Sequence, residues 1–278
     1  MRLSKLKFVL LGALLMTVLA ACGGSASQSS STSTSNGVTT IKVGAVPVPH
    51  AEILQYINDH LAAKEGIKIK IVSFNDYVQP NTSLQDGSID ANYFQHVPYM
   101  EDFNKQHNMN MVAVTKVHIE PLGVYSHKVK SFSEVSNGAV VAIPNDVTNT
   151  GRALKLLADN GLITLKAGVG TSATVHDIAN NPKNLQFKEL ESAQLPRSLD
   201  DTTLSVINGN YALQIGLTPS KDALALESAK NNPYANVLAV LKGHENDPAI
   251  KKLAQLLNSP EVKQFIINKY HGSVIPAF

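Results

Sequence analysis

Asn149 and Arg152 stand three residues apart in the run Ile143-Pro-Asn-Asp-Val-Thr-Asn-Thr-Gly-Arg152, a spacing that can build a carboxylate clamp. An apolar β-type stretch, 139–143, closes at Pro144. A polar turn follows, and a helix is expected to begin around Asn149–Gly151. The first turn of a helix offers free backbone N–H groups at the positive end of its dipole. Arg152 adds a planar donor fork that matches a carboxylate, and a three-residue offset puts both side chains on one side. The same residues would also serve N-capping by Asp146, Thr148 or Asn149, with Arg152 in a surface salt bridge, and the spacing leaves both open.

Two further segments carry chemistry. Asp90–Tyr99 (DANYFQHVPY) places two tyrosines, a phenylalanine and a histidine within seven residues of a chain with only 6% aromatics. Aromatic walls suit an apolar or thioether side chain, since sulfur-to-ring contacts add about 0.3–1.5 kcal/mol. A core-facing turn and helix start would use the same residues. Phe74 and Tyr77 lie just past an expected strand, where a cleft-lining loop would begin. In Ile207-Asn-Gly-Asn-Tyr211, two asparagines around a glycine could bind the ammonium and carboxylate of an amino acid, or simply form a turn.

Several catalytic chemistries are excluded. The chain has no H-E-x-x-H and no G-x-S-x-G. His50-Ala-Glu52 resembles half of a zinc-deaminase motif whose P-C-x-x-C half is missing. Gly168–Ala173 fits a dinucleotide pattern only loosely and follows no clear strand. The nine histidines are scattered without a close pair; a three-dimensional site of His96 and His118 with an acid stays open as a metal-binding alternative. No cofactor is called for, and the reading is of a binding protein rather than an enzyme.

The elements that must position these residues alternate. Thr40–Val46 reads as a strand, 50–65 as a helix with Ile53, Leu54, Ile57 and Leu61 on one face, and Ile67–Ile71 as a second strand. Val112–Val117, Ala139–Ile143, Leu185–Leu190, Leu204–Ile207 and Val237–Leu241 follow as strands. Residues 151–158 read as a helix, and 248–257 and 260–270 as two closing helices, each with proline in its first turn. Strands separated by helices predict an α/β fold with mostly parallel sheets. The pattern weakens near Pro121 and near Thr218-Pro219. We therefore expect two lobes, 38–120 plus 223–278 and 121–222, with the ligand cleft between them.

Composition fits a packed globular body: 44% hydrophobic and 17% charged residues in 278. Arg2, Lys5 and Lys7 precede an apolar run, Phe8–Ala20, too short to span a bilayer, and the run breaks at Leu19-Ala-Ala-Cys22. Residues 1–21 read as an export signal. Without them 21 Lys+Arg stand against 22 Asp+Glu, so no nucleic-acid footprint remains. Leu-Ala-Ala-Cys resembles the lipobox of bacterial lipoproteins, in which the cysteine is acylated (palmitate or a related chain) and becomes the first residue. Cys22 is the only cysteine, which excludes an intrachain disulfide. Residues 22–37, rich in serine, threonine and glycine, read as a lipid-anchored flexible tether spanning roughly 20 Å.

Seven stretches in order, FNDYVQPN (74–81), DGSIDANYFQHVPYM (86–100), IPNDVTNTGRAL (143–154), AQLPRSLDD (193–201), INGNYA (207–212), GLTPSKDAL (216–224) and NPYANV (232–237), resemble the NlpA-type methionine-binding lipoproteins, the substrate-binding components of methionine ABC importers. The resemblance covers Thr39–Phe278. It implies a two-lobed periplasmic-binding-protein fold that closes on methionine, in the L or D form or within a short peptide. Arg152 and Asn149 would hold the carboxylate. Asn208 or Asn210, with Asn236, would hold the head group, and Tyr77, Phe94, Tyr99 and His118 would surround the side chain. The implied partners are an ABC permease with its ATPase and, through Cys22, the extracytoplasmic face of the cell membrane; the carrier works as a monomer. A surface lipoprotein with an adhesive role and another ligand is the remaining alternative.

Overall fold

A computed structural model describes residues 33–35 and 37–278. The expected export signal and the anchor cysteine Cys22 lie outside the described residues. So does most of the tether, but Ser33–Ser35 is a strand paired antiparallel with Val38–Thr40, so the tether's end forms a hairpin where a flexible chain was expected.

Two sheets form two lobes. The first has seven strands. Its path runs Ser33–Ser35, Val38–Ala45, Ala91–His96, Ala235–Leu241, Met111–Ile119, Ile275–Pro276, with Ile67–Ser73 also paired to Val38–Ala45. The second runs Gln186–Leu190, Val140–Pro144, Leu204–Ile207, Gly123–Tyr125, Ala225–Leu226. The βα units near the start of each lobe are parallel, as periodicity predicts. The expectation of mostly parallel sheets fails at the centre of the first sheet. Ala235–Leu241 runs antiparallel to both Ala91–His96 and Met111–Ile119. Met111–Ile119 carries the chain out of the first lobe and Ala235–Leu241 brings it back, so the two neighbours must point in opposite directions.

The return comes later than the pattern suggests. Ala225–Leu226 still pairs with Gly123–Val124, and Glu227 N–H bonds Leu122 C=O at 2.9 Å. The chain therefore leaves the second sheet after Glu227, a few residues beyond the expected boundary at 222/223. A two-residue edge strand has no periodicity to read.

Each lobe has its own apolar core. In the first, Ile41 and Val43 meet Ile53, Leu54 and Ile57 of helix Glu52–His60 and Leu253, Leu257, Val262 and Ile266 of the two closing helices. Those helices span Pro248–Leu257 and Pro260–Tyr270, the second capped by Ser259 Oγ on the Val262 N–H. In the second lobe Val141, Ile143 and Val206 pack on Leu154 and Leu157 of helix Val147–Asp159. That helix begins ahead of the expected Asn149 because Asp146 caps it, accepting the Asn149 N–H at 2.9 Å. Gly151 lets it lie against the 170–173 segment: a Cβ there would stand 2.1 Å from the Thr171 carbonyl oxygen. Among the described residues no helix is long and apolar enough to cross a membrane.

Candidate functional site

Between the lobes lies a narrow cavity of about 20 Å³, little more than a water molecule's room. Eight of the nine ligand-contact residues named from sequence line it. Tyr77, Phe94 and Tyr99 come from the first lobe, where ring centroids 5.8–6.2 Å apart form one aromatic wall. Phe94 sits in a strand whose six residues are all buried, so the 91–96 segment is a strand rather than a turn and helix start. Asn236 opens the returning strand. Asn149 and Arg152 project from the first turn and a half of helix Val147–Asp159, and Asn208 and Asn210 from the start of helix Gly209–Gln214.

The asparagines form a directed chain. Asp146 accepts both the backbone and the side-chain N–H of Asn149, at 2.9 and 3.0 Å. Asn149 Oδ1 in turn accepts Asn208 Nδ2 at 3.1 Å and faces His96 Nε2 at 3.4 Å. His96 Nδ1 accepts the Tyr99 N–H, so its proton sits on Nε2. Burial, aided by Arg152, depresses the His96 pKa to about 3, and the ring is neutral. Tyr77 Oη donates across the cleft to Asn210 Oδ1 at 2.5 Å. Among the described residues, Asn208 Oδ1 and Asn210 Nδ2 are buried without a partner, one acceptor and one donor.

Arg152 is 4% exposed and already engaged. Its Nε and Nη2 grip Glu227 at 2.8 and 2.5 Å, Nη2 also reaches the Glu120 carbonyl at 2.8 Å, and the Tyr234 ring lies 4.4 Å from its Cζ. The capping reading of this segment is the one the structure realises: Asp146 caps the helix and Arg152 pairs with a carboxylate of the protein, in a buried pair rather than at the surface. Neither bond to Glu227 uses Nη1, which leaves part of the fork for the cavity.

His118 is the exception. It is fully buried and does not line the cavity. Its Nε2 lies 2.7 Å from Glu120 Oε1 and its Nδ1 2.5 Å from Tyr93 Oη. Residues two apart on a strand share a face, so His118 turns toward Glu120 and only Glu120 reaches the cavity. A paired His96–His118 metal site is likewise not assembled. The one tight group of metal-type donors among the described residues is His50, His118 and Glu120. Its contacts of 3.2 and 2.7 Å to a single carboxylate oxygen are hydrogen-bond lengths.

Sequence reasoning did not find Glu120, Gln95, His96 or Gly209 as lining residues. Glu120 is the important omission, as the only carboxylate in the lining among the described residues. Its signal was a single acid in an otherwise apolar crossing, Val117-His-Ile-Glu-Pro-Leu122. Gly209 permits its approach, since a Cβ there would lie 2.9 Å from Glu120 Cβ.

The model of the NlpA lipoprotein family matches residues 41–278. A methionine-binding lipoprotein, MetQ, of Bacillus subtilis strain 168 is 41% identical over 278 residues, covering 98% of this chain and 99% of the relative. A D-methionine-binding lipoprotein, MetQ, of Escherichia coli K12 is 43% identical over 237 residues, covering 84% of this chain and 87% of the relative. Among solved structures, a nutrient-binding protein from Burkholderia cenocepacia bound to methionine superposes with a TM-score of 0.83 at 48% identity, covering 86% of this chain and all of the other.

Proposed function

The chain belongs to the NlpA lipoprotein family, and from that premise we propose that it is the substrate-binding lipoprotein of a methionine ABC importer. The observation that carries the ligand class is the cavity's opposed charges: one carboxylate, Glu120, and one guanidinium, Arg152, beside the aromatic wall of Tyr77, Phe94 and Tyr99. A free amino acid with an apolar side chain is the complement. Arg152 Nη1 takes the carboxylate, and Asn149, whose amide N–H groups are held by Asp146, lines that end of the cavity. Glu120, with Asn208 and Asn236, takes the ammonium, and Asn210 contributes a donor. The rings take the thioether, where sulfur contacts add about 0.3–1.5 kcal/mol each. The relatives named for methionine or D-methionine and the neighbour solved with methionine support this ligand.

The mechanism needs no bond chemistry. Residues 38–120 with 228–278 form one lobe and 121–227 the other, and the ligand touches both. It therefore stabilises the closed arrangement by its differential affinity. The monomeric carrier hands its cargo to a permease driven by an ATPase. Cys22, acylated, holds it at the extracytoplasmic membrane surface, and the tether raises its effective concentration there.

Calorimetric titration of protein refolded to strip bound ligand tests the reading, with L-methionine, D-methionine, methionine dipeptides and other amino acids. Heat from methionine in preference to leucine or phenylalanine is expected. No heat from methionine in any form would overturn it.

A further inference from the structure

Glu120 lies at the end of a relay the cavity itself does not show. His118 Nε2 approaches Glu120 Oε1 at 2.7 Å and His50 Nε2 approaches the same oxygen at 3.2 Å, while His50 Nε2 also sits 3.0 Å from Asn236 Oδ1. His50 and His118 are 1% and 0% exposed. The proton positions follow from the partners. Tyr93 Oη, 2.5 Å from His118 Nδ1, is a buried phenol that keeps its proton, so it donates there and the His118 proton is on Nε2. His50 Nε2 faces two acceptor oxygens and carries the proton of that ring. Both imidazoles are therefore neutral: His118 donates to Glu120 Oε1, and His50 donates to Asn236 Oδ1 with the same nitrogen 3.2 Å from that carboxylate oxygen.

This arrangement differs from a salt bridge. His118 and the Asn210 backbone N–H, both neutral donors, hold the carboxylate in place with the neutral His50 ring beside it, and none adds positive charge. The nearest guanidinium, Arg152, is already paired by both its Nε and Nη2 to Glu227. A buried ion without a counter-charge is costly, and the remaining open side of Glu120 is the cavity.

We propose that His50 and His118 are positioning residues for the ammonium subsite: they fix Glu120 as a hydrogen-bonded but uncompensated carboxylate, so that the site selects a ligand bearing a protonated amine over the same molecule without one. The inference rests on the amino-acid reading above and assigns the selectivity within it. His50 bonds Asn236 and lies 3.2 Å from Glu120, so one ring sets the places of two groups of the same subsite.

The test compares L-methionine with its des-amino analogue, 4-(methylthio)butanoate, by calorimetry on the whole protein. The wild type should prefer methionine by at least ~30-fold, the loss expected when one partner of a buried charge pair is removed. In His118→Leu and His50→Leu that preference should fall by ~10-fold or more through weaker methionine binding, with the analogue nearly unchanged. His118→Gln, which keeps a donor near the Nε2 position, should restore most of it. A merely structural role would weaken both ligands together and leave their ratio alone, and that result overturns the proposal. If His118→Leu does not fold, Tyr93→Phe carries the test, because it frees the His118 proton to move to Nδ1 and should lower the same ratio; an unchanged ratio there overturns the proposal equally. Failure of the wild type to bind methionine at all would instead refute the function itself.

Discussion

Lowering the pH from 7.5 to 5.5 places a defined load on three buried imidazoles. Burial depresses His50 to a pKa of about 4 and His96 and His118 to about 3, against 6.5 in an unfolded chain. Between those values the unfolded chain binds protons that the folded one refuses, so stability falls as the pH falls through this window. Each histidine loses about 1.3 kcal/mol over the two units, so the three together lose about 4 kcal/mol. Glu120 and Asp146, both raised by burial, act with the opposite sign, because the folded state takes up their protons first. Four kcal/mol is therefore a ceiling. For a chain of this size it corresponds to a fall in Tm of roughly 8–16 °C. The exposed carboxylates Asp86, Asp177 and Glu245 are depressed and titrate below the window. Scanning calorimetry of ligand-free protein at half-unit pH steps is the assay, with His118→Gln expected to flatten the slope by about a third. A His118→Gln variant whose Tm depends on pH between 7.5 and 5.5 as steeply as the wild type's would refute the assignment of that ring as neutral and buried.

Three further outcomes follow from the site. Arg152→Ala should abolish methionine binding and also cost about 3 kcal/mol of stability, because it strands the half-buried Glu227 carboxylate; thermal melts and titration together check both, and an unchanged Tm would show that the Glu227 pair is not formed in solution. Tyr77→Phe keeps the ring but removes the cross-cleft bond to Asn210, and should weaken binding by about 2- to 10-fold; undiminished affinity would remove that bond from the account of closure. Gly151→Ala should destabilise the second lobe by about 2–3 kcal/mol, because its Cβ overlaps the Thr171 carbonyl, a backbone atom that cannot swing away; a wild-type melting curve would refute that packing.

What could be read from the chain depended on how local its cause was. The helices at 248–257 and 260–270 were legible to the residue because proline marks each start and the apolar period runs unbroken between. The strand Ala91–His96 was not, since Asn92 and Gln95 break any apolar alternation. Both are buried, and they are tolerated because Asn81, Asn92 and Gln95 satisfy one another at 2.8–3.0 Å, a network that exists only after folding. The placing of Asn149 and Arg152 on one side of a helix was visible through spacing, but the counter-ion of Arg152, Glu227, lies 75 residues away. His118 was placed in the correct crossing and given the wrong surroundings, because pattern gives the strand and not the face.

The same distinction explains why the charge logic of the site needed the fold. From sequence the site has one arginine for a carboxylate and asparagines for the rest. In the structure the arginine is largely neutralised by Glu227, while Glu120 accepts from one uncharged ring, His118, and lies beside another, His50. On the proposed reading the charge left without a partner in the cavity is negative, and the ammonium, more than the carboxylate, is the part of a zwitterion that would meet it. Glu120 stands one residue past the outgoing strand and Asn236 on the returning one, Arg152 and Asn149 on the second lobe, and the rings on the first. A ligand that satisfies all three groups must hold the lobes together, and direct protein bonds across the cleft, such as Tyr77 to Asn210 and Tyr211 to the Asn75 carbonyl, add only modest increments of about 1 kcal/mol each. Closure on this account is decided by the cargo, and the amine is where that decision is made.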